Sequence, residues 1–453
     1  MSKKQIYFVG IGGIGMSALA RYYLAQNWTV SGSDDVASLI TRELQKEGLK
    51  VKIRPKKPGF GPKTALIIHS RAVPVFNVEI QAAGRWQIPV LSYPEAVGAL
   101  TEKYQTIAIA GAHGKSTTTA MIVEIFLRAG FDPTVIIGTK LKSLSAKTDG
   151  GKNFRMGKSP WLILEADEFG GAFWHYSPVV ALITNIDKEH LDFYKNLAGV
   201  KKSFLKFVGN VKENGLLILN RDDKNIFSLK NKIEKITEKK KIKISWYSFG
   251  TDPLLAEKLK KELIVPGRHN VSNALGAFAL ARELKIGEKT AIDALKNYAG
   301  AWRRFEYKGN LKPGIRVYDD YAHHPVEIKA SLAGAKEKFP DSKIICVFQP
   351  HQVQRLKLLF RDFSEAFGDS DATIILPPYQ VAGRDRSDSG QYSRALAETI
   401  KKKNNGKEIF YLRSPADLKK FLKNNSSLFE SDDCVLIMMG AGDIAELTPE
   451  ILR

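Results

Sequence analysis

Thr106-Ile107-Ala108-Ile109-Ala110 runs straight into Gly111-Ala112-His113-Gly114-Lys115-Ser116-Thr117, and residues 118–129 then continue with helical spacing. A strand, a loop ending in Gly-Lys-Ser and a helix, in that order, form a phosphate-binding loop. Its backbone amides cradle phosphates, its lysine neutralises the outer phosphoryl oxygens, and its hydroxyl can ligate Mg²⁺. Full Walker spacing would place a glycine where this chain has Ile109. The strand-loop-helix context therefore carries the nucleotide assignment, with Gly111, Ala112, His113, Gly114, Lys115, Ser116 and Thr117 as the contacting stretch. It also sets the fold class, because such a loop sits at the carboxyl edge of a parallel α/β sheet.

Upstream, a strand at 5–9 leads into Gly10-Ile11-Gly12-Gly13-Ile14-Gly15, a helix at 16–26 and a second strand ending at Val30. G-x-G-x-x-G between strand and helix lets amides and a helix N-terminus approach a diphosphate. Asp34 lies where a ribose hydroxyl is held in dinucleotide enzymes. A dinucleotide, another diphosphate and a purely structural turn all fit this motif. Strand-like runs at 65–69 and 89–91 complete a small α/β domain, taken as 1–103. A second domain, 104–300, has further strands at 161–165 and 179–184, a lysine-rich stretch at 225–243 that reads as a surface insertion, and a helix at 270–284. A third, 301–453, has strands at 315–318, 343–348, 372–376, 408–412 and 434–439. Three α/β domains without repeats or low-complexity linkers is the economical organisation.

Composition agrees with that division. A chain of 453 residues is too long for one core. Its 44% hydrophobic and 26% charged residues suit a soluble globular protein. No signal-peptide core follows the first residues and no apolar run approaches spanning length, so a cytoplasmic protein without a membrane partner is expected. Cys346 and Cys434 lie in apolar β-type runs and read as buried thiols, with neither a disulfide framework nor a zinc site. The net charge of +21 fits a nucleic acid, anionic lipid or an anionic metabolite. Its lysines at 230–243, 401–403 and 419–423 are interspersed with polar or periodic apolar residues and no recognition module accompanies them. Solvated faces, and no nucleic-acid partner, are expected.

Acidic and imidazole groups gather after the strands. Glu165-Ala166-Asp167-Glu168 follows one, and Thr184-Asn185-Ile186-Asp187-Lys188-Glu189-His190-Leu191-Asp192 follows the next. Carboxylates at strand C-termini on a P-loop's edge are where Mg²⁺-nucleotide binds; a lone His after a strand is otherwise a structural residue. Gly267-Arg268-His269-Asn270-Val271-Ser272-Asn273-Ala274 opens a helix that Asn270 or Asn273 could simply cap. Asp319-Asp320-Tyr321-Ala322-His323-His324-Pro325 is the most distinctive block. Its adjacent histidines point apart and lack the H-x-x-x-H spacing of a zinc site.

These motifs, in this order from Gly10 to Asp443, resemble the Mur ligase family. Gly-x-His-Gly-Lys-Ser-Thr-Thr-Thr is similar to that family's ATP loop, and residues 10–20 are similar to the opening of its alanine-adding member. The resemblance implies three domains: an N-terminal Rossmann-like UDP-sugar domain, a central P-loop ATPase domain, and a C-terminal Rossmann-like domain that brings the amino acid and closes over ATP. It implies ATP and Mg²⁺ as cofactors, and UDP-N-acetylmuramic acid and L-alanine as substrates of an ATP-dependent ligase working as a monomer or weak dimer. Carried over by position, Gly12, Gly13, Ile14, Gly15, Ser33, Asp34 and Ser70 hold the UDP-sugar. Ser116 and Glu165 hold one Mg²⁺, and His190 a second. His269, Asn273, Arg304 and Asp320 join the ATP site. Tyr321, His323, His351 and Arg355 face the amino acid, and Lys115, His190, His323, His351 and Arg355 are the expected catalytic groups.

Three departures stand out. Gln352 occupies a position where the family commonly has Arg, Phe169-Gly170-Gly171 differs from the family's usual continuation, and Leu205, beside Lys206, stands where some relatives have a carbamylated lysine. Asp167 and Glu168 are for that reason only secondary candidates. The rival readings are an NAD-dependent dehydrogenase, a nucleic-acid-stimulated NTPase, or a related ligase adding another amino acid or a recycled peptide.

Overall fold

The structure is a computed structural model that describes residues 3–145, 151–312, 314–379, 390–403, 406–429 and 433–453. It divides into two compact units, Met1–Leu259 with Ser272–Tyr298, and Lys260–Val271 with Ala299–Arg453.

The first unit carries two sheets. In one, Lys50–Ile53, Thr29–Asp34, Gln5–Val9, Leu66–His69 and Val90–Ser92 lie side by side in that order, all parallel. In the other, the order is Lys243–Tyr247, Leu216–Asn220, Val180–Ile183, Gln105–Ala110, Trp161–Glu165, Thr134–Leu141 and Lys152–Arg155. Only the last of these is antiparallel. The central strands are apolar on both faces because helices cover both, as a parallel sheet requires. Parallel pairing fixes the function-bearing edge: residues 111, 166 and 184, each just past a strand end, must share one side.

Residues 225–243 form no insertion. They fold as helices Lys224–Phe227 and Lys230–Lys239 leading into the edge strand Lys243–Tyr247. Ile226, Leu229 and Ile233, at helical spacing among the lysines, are buried in the core and make this segment integral. The hairpin partner Lys152–Arg155 was also absent from the strands expected from sequence. It brings Asn153, fully buried, against the helix Ile14–Ala25 that follows the first glycine loop. The Asn153 amide donates to the Ile14 carbonyl at 2.6 Å and to Ser17 Oγ at 2.9 Å, and its oxygen accepts from Arg21 at 2.6 Å. Arg21 also forks onto Glu47 at 2.8 and 3.1 Å, and Lys140 reaches Glu43 at 2.5 Å. A charge-assisted network thus ties the two sheets of this unit together.

The second unit holds a six-stranded sheet in the order Glu306–Lys312, Ile315–Asp320, Cys434–Met439, Lys343–Phe348, Ala372–Ile375 and Glu408–Tyr411. All neighbours are parallel except the first pair. The edge strand 306–312 is half-exposed with two register shifts, which is why its pattern does not stand out in the sequence. Asp319 and Asp320 end their strand within it, not after it. Both cysteines are buried thiols. Among the described residues no helix is long and apolar enough to cross a membrane.

Candidate active site

The P-loop is held by the neighbouring strand's motif. His113 N donates to Asn185 Oδ1 at 2.8 Å, and the His113 carbonyl accepts from Thr184 Oγ1 at 2.6 Å and Asn185 Nδ2 at 2.9 Å. Thr184 and Asn185 therefore shape the loop. Lys115 Nζ lies 2.6 Å from the Gly111 carbonyl, 3.1 Å from that of Ala112 and 2.8 Å from Glu168 Oε2. Ser116 Oγ donates to Glu165 Oε1 at 2.9 Å, and Gly138 N donates to Glu165 Oε2 at 2.8 Å. A Cβ at position 138 would stand 2.8 Å from that carboxylate, so Glu165 reaches the loop only because the facing residue is glycine.

Glu168 is the centre of the cluster. It is 1% exposed, and its other oxygen lies 3.5 Å from His190 Nε2. Burial alone would raise its pKa, yet Lys115 and His190 outweigh that and hold it below the usual range. Burial likewise opposes the charge on Lys115, but Glu168, Asp167 and Glu165 lift its pKa. For His190, burial is again outweighed, by Glu168 first, and the imidazole is shifted towards its protonated form. Each of the three groups thus favours the charged form of its neighbours against the cost of burial.

The donor set suits a hard divalent ion. A hydroxyl and a carboxylate oxygen 2.9 Å apart, Ser116 and Glu165, offer one pair of ligands. Asp167, Glu168 and His190 place ligand atoms within 4.8 Å of one another. Asp167 and Glu168 are therefore nearer to this chemistry than their secondary standing in the sequence suggested. Lys206, adjacent to the non-lysine position 205, stacks its ammonium 4.1 Å over Trp174.

At the first glycine loop, Gly12 N donates to Asp34 Oδ2 at 2.7 Å, and Gly10 and Ile11 both donate to the Ser33 carbonyl at 2.9 Å. Ser70 sits against Gly10, its Cβ 2.8 Å from where a Cβ there would lie. Gly12, Gly13, Ile14, Gly15, Asp34 and Ser70 are gathered here. The Ser33 hydroxyl is not: it turns inward and donates to Glu79. Tyr93, which the sequence reading did not single out, brings its phenol oxygen to 2.7 Å from a Cβ built at Gly15. Its pKa is raised by burial first and then by the negative charges of Asp167 and Glu165. Asn273 packs so closely on Gly114 that a side chain there would collide with it.

In the second unit, Tyr321 is flanked by the guanidinium groups of Arg303 and Arg304, each 5.0 Å from its ring centre. His323 Nδ1 lies 3.0 Å from the Tyr321 carbonyl and 3.2 Å from Glu327. The His323 ring is 5.9 Å from that of His351, which stacks on Tyr379 at 5.6 Å. Arg355 NH1 lies 3.5 Å from His351 Nδ1. The four residues expected at the amino acid are thus one cluster, to which Tyr379 is an addition. His269 borders Gly267. Asp320 accepts from Ala322 N, Phe305 N and Ser331 Oγ at 2.7, 3.1 and 2.9 Å. So loaded a carboxylate is first an organiser of its own loop. Arg303 donates to the Gly440 and Gly442 carbonyls, and Gln349 bridges Asp443 and Ile444 N, locking the C-terminal glycine turn.

Comparison with known proteins decides what this arrangement belongs to. Residues 5–105 match the Mur ligase family catalytic domain, 109–281 the Mur ligase middle domain, and 303–442 the Mur ligase glutamate ligase domain. This chain belongs to the Mur ligase family. It is 36% identical to the UDP-N-acetylmuramate--L-alanine ligase of Caldanaerobacter subterraneus subsp. tengcongensis, over 99% of this chain and 97% of that relative. Against the enzyme of the same name from Clostridium acetobutylicum the identity is 37%, over 98% and 96%. Among solved structures, the UDP-N-acetylmuramate-alanine ligase of Thermotoga maritima matches with a TM-score of 0.79 at 27% identity, covering 99% of this chain and 98% of its own. The three-domain Mur ligase architecture is therefore that of this chain.

Proposed function

We propose that this Mur ligase joins L-alanine to the carboxylate of UDP-N-acetylmuramic acid at the expense of ATP, in the cytoplasm, as a step of peptidoglycan precursor synthesis. The observation that carries the reading is the Lys115–Glu168–His190 cluster beside Ser116–Glu165, in a chain similar end to end to ligases of that name. The muramyl carboxylate attacks the γ-phosphorus of ATP and ADP departs. The bond made is carboxylate oxygen to phosphorus and the bond broken is phosphorus to the β,γ-bridging oxygen. Lys115 places positive charge against the transferring phosphoryl oxygens, and the loop amides orient them. Mg²⁺, held by Ser116 and Glu165 and by His190 with Glu168, would disperse the same charge. The alanine amine then attacks the acyl phosphate carbonyl, and the tetrahedral intermediate expels phosphate and loses a proton. Tyr321, His323, His351 and Arg355 are proposed to receive the amino acid, and Gly12, Gly13, Ile14, Gly15 and Ser70 the UDP-sugar.

Phosphoryl transfer to a carboxylate predicts that ADP appears only when UDP-N-acetylmuramic acid is present. Coupled ADP release, run with that acceptor against a panel of amino acids and peptides, tests this. Alanine-dependent turnover is expected. Hydrolysis independent of the sugar, or turnover with a peptide alone, would overturn the reading.

A further inference from the structure

Arg71 follows Ser70 in the loop after the strand Leu66–His69, on the sheet that carries the first glycine loop. Its guanidinium crosses to the turn bearing Glu168. NH1 donates to the Phe169 carbonyl at 2.8 Å, and the group stands 5.6 Å from the centre of the Phe169 ring. A side chain at Gly170 would collide with the same guanidinium. The turn it grips is unusual: Gly170 and Gly171 follow one another at φ +57° and +76°, a left-handed pair with little intrinsic preference for any one conformation. Tyr194 holds the turn from the other side, accepting from Gly171 N at 3.2 Å and donating to the Glu168 carbonyl.

From Phe169 the contacts run into the chemistry. Its ring lies 4.8 Å from that of His190, which itself sits at φ +54°. His190 reaches Glu168, and Glu168 reaches Lys115. A non-glycine residue in the left-handed region persists only where its surroundings hold it there. Phe169 is one of the groups doing so. At the near end, the residue preceding Arg71 packs on Gly10 of the first glycine loop.

We propose that Arg71 is a positioning residue: acting through Phe169, it sets His190 and Glu168 against Lys115, so that the loop beside the diphosphate site fixes the phosphoryl-transfer cluster. The inference rests on the ligase reading above. Arg71 is itself solvent-exposed, so replacing it leaves the core intact.

The test is a double-mutant cycle in the full chain with ATP, UDP-N-acetylmuramic acid and L-alanine. Displacements of about 1 Å near reacting groups cost about a hundred-fold. Arg71→Ala is accordingly expected to lower kcat by about thirty- to a hundred-fold, with each KM within about three-fold. Phe169→Ala should do much the same, and adding Arg71→Ala to it should cost less than about three-fold more. Losses that multiply, a loss confined to the KM of the UDP-sugar, or an unchanged kcat would overturn the proposal. A wild-type chain that does not ligate alanine would instead overturn the ligase reading. In that event a crystal structure of Arg71→Ala decides the positioning role: the Phe169 ring is expected to leave His190, and an unmoved turn would refute it.

Discussion

Replacing Glu168 by glutamine keeps shape and volume but removes the one charge that Lys115 and His190 share. At 2.8 Å and an effective dielectric near 20, the Lys115–Glu168 attraction is about 6 kcal/mol before desolvation is subtracted. Breaking one side of such a buried pair costs about 3–5 kcal/mol. Some of that returns when ATP binds, because phosphate oxygens are an alternative partner for the ammonium. Glu168 and phosphate in fact compete for Lys115, so the variant is expected to bind ATP no more weakly than wild type. The loss should fall on turnover, since His190 loses its anchor and the proposed Mg²⁺ site loses a carboxylate: kcat down by about 10²–10³-fold, equivalent to about 2.7–4 kcal/mol. Equilibrium nucleotide binding by calorimetry, beside steady-state kcat, separates the two effects. A kcat within about three-fold of wild type, or nucleotide affinity that falls in step with kcat, would refute the reasoning.

Asn153→Ala should strip a partner from Arg21 and from the Ile14 carbonyl, costing about 2–3 kcal/mol of stability, read as a lower denaturant midpoint. Burial pushes the Asp319 carboxyl up to about 6, above its ordinary value. The folded state therefore holds the extra proton between those values, and stability should fall as pH rises through that window, by at most about 3 kcal/mol. Asp319→Asn is expected to flatten that slope in thermal unfolding across pH 4–7. Arg355→Ala should raise the KM for L-alanine by at least about thirty-fold, through a carboxylate left poorly paired, and that for ATP by less than about three-fold. Steady-state kinetics with each substrate varied in turn measures the split, and equal losses would move Arg355 to the phosphate side.

Much of this was legible in the sequence, for reasons that can be named. Parallel strands buried on both faces are continuous apolar runs, so Trp161–Glu165, Lys343–Phe348 and Cys434–Met439 are marked end to end by composition. Once those strands are parallel, Ser116, Glu165 and His190 have to share an edge. What stayed hidden depends on contacts that spacing does not encode. Glu168 follows Asp167 without any periodic signal, and only tertiary packing shows that it, and not Asp167, is the buried partner of Lys115. Gly138 matters solely because Glu165 passes in front of it. Tyr93 and Arg71 come from the other sheet of the same unit and meet the cluster across it. The segment 225–243 reads as an insertion because seven lysines mask three apolar residues at helical spacing.

Part of the net charge of +21 lies on lysines that bond backbone carbonyls. A helix C-terminus leaves carbonyls without intrahelical donors, and an ammonium satisfies them with no acid involved. Lys240 does this at the end of the helix Leu197–Gly209, donating to the Gly209 and Val211 carbonyls at 2.7 and 2.6 Å. Lys419 bonds the Glu450 carbonyl in the last turn of Ile444–Ile451 at 2.7 Å. Lys338 takes that of Ile264 at 2.8 Å, and Lys407 those of Gly368 and Ser370. Each such lysine adds a charge that no carboxylate offsets, so cations accumulate as a by-product of closing loops and helix ends. They belong to separate elements of the chain. Lys115, in the loop that begins at Gly111, differs from them in meeting a buried carboxylate, that of Glu168 at 2.8 Å.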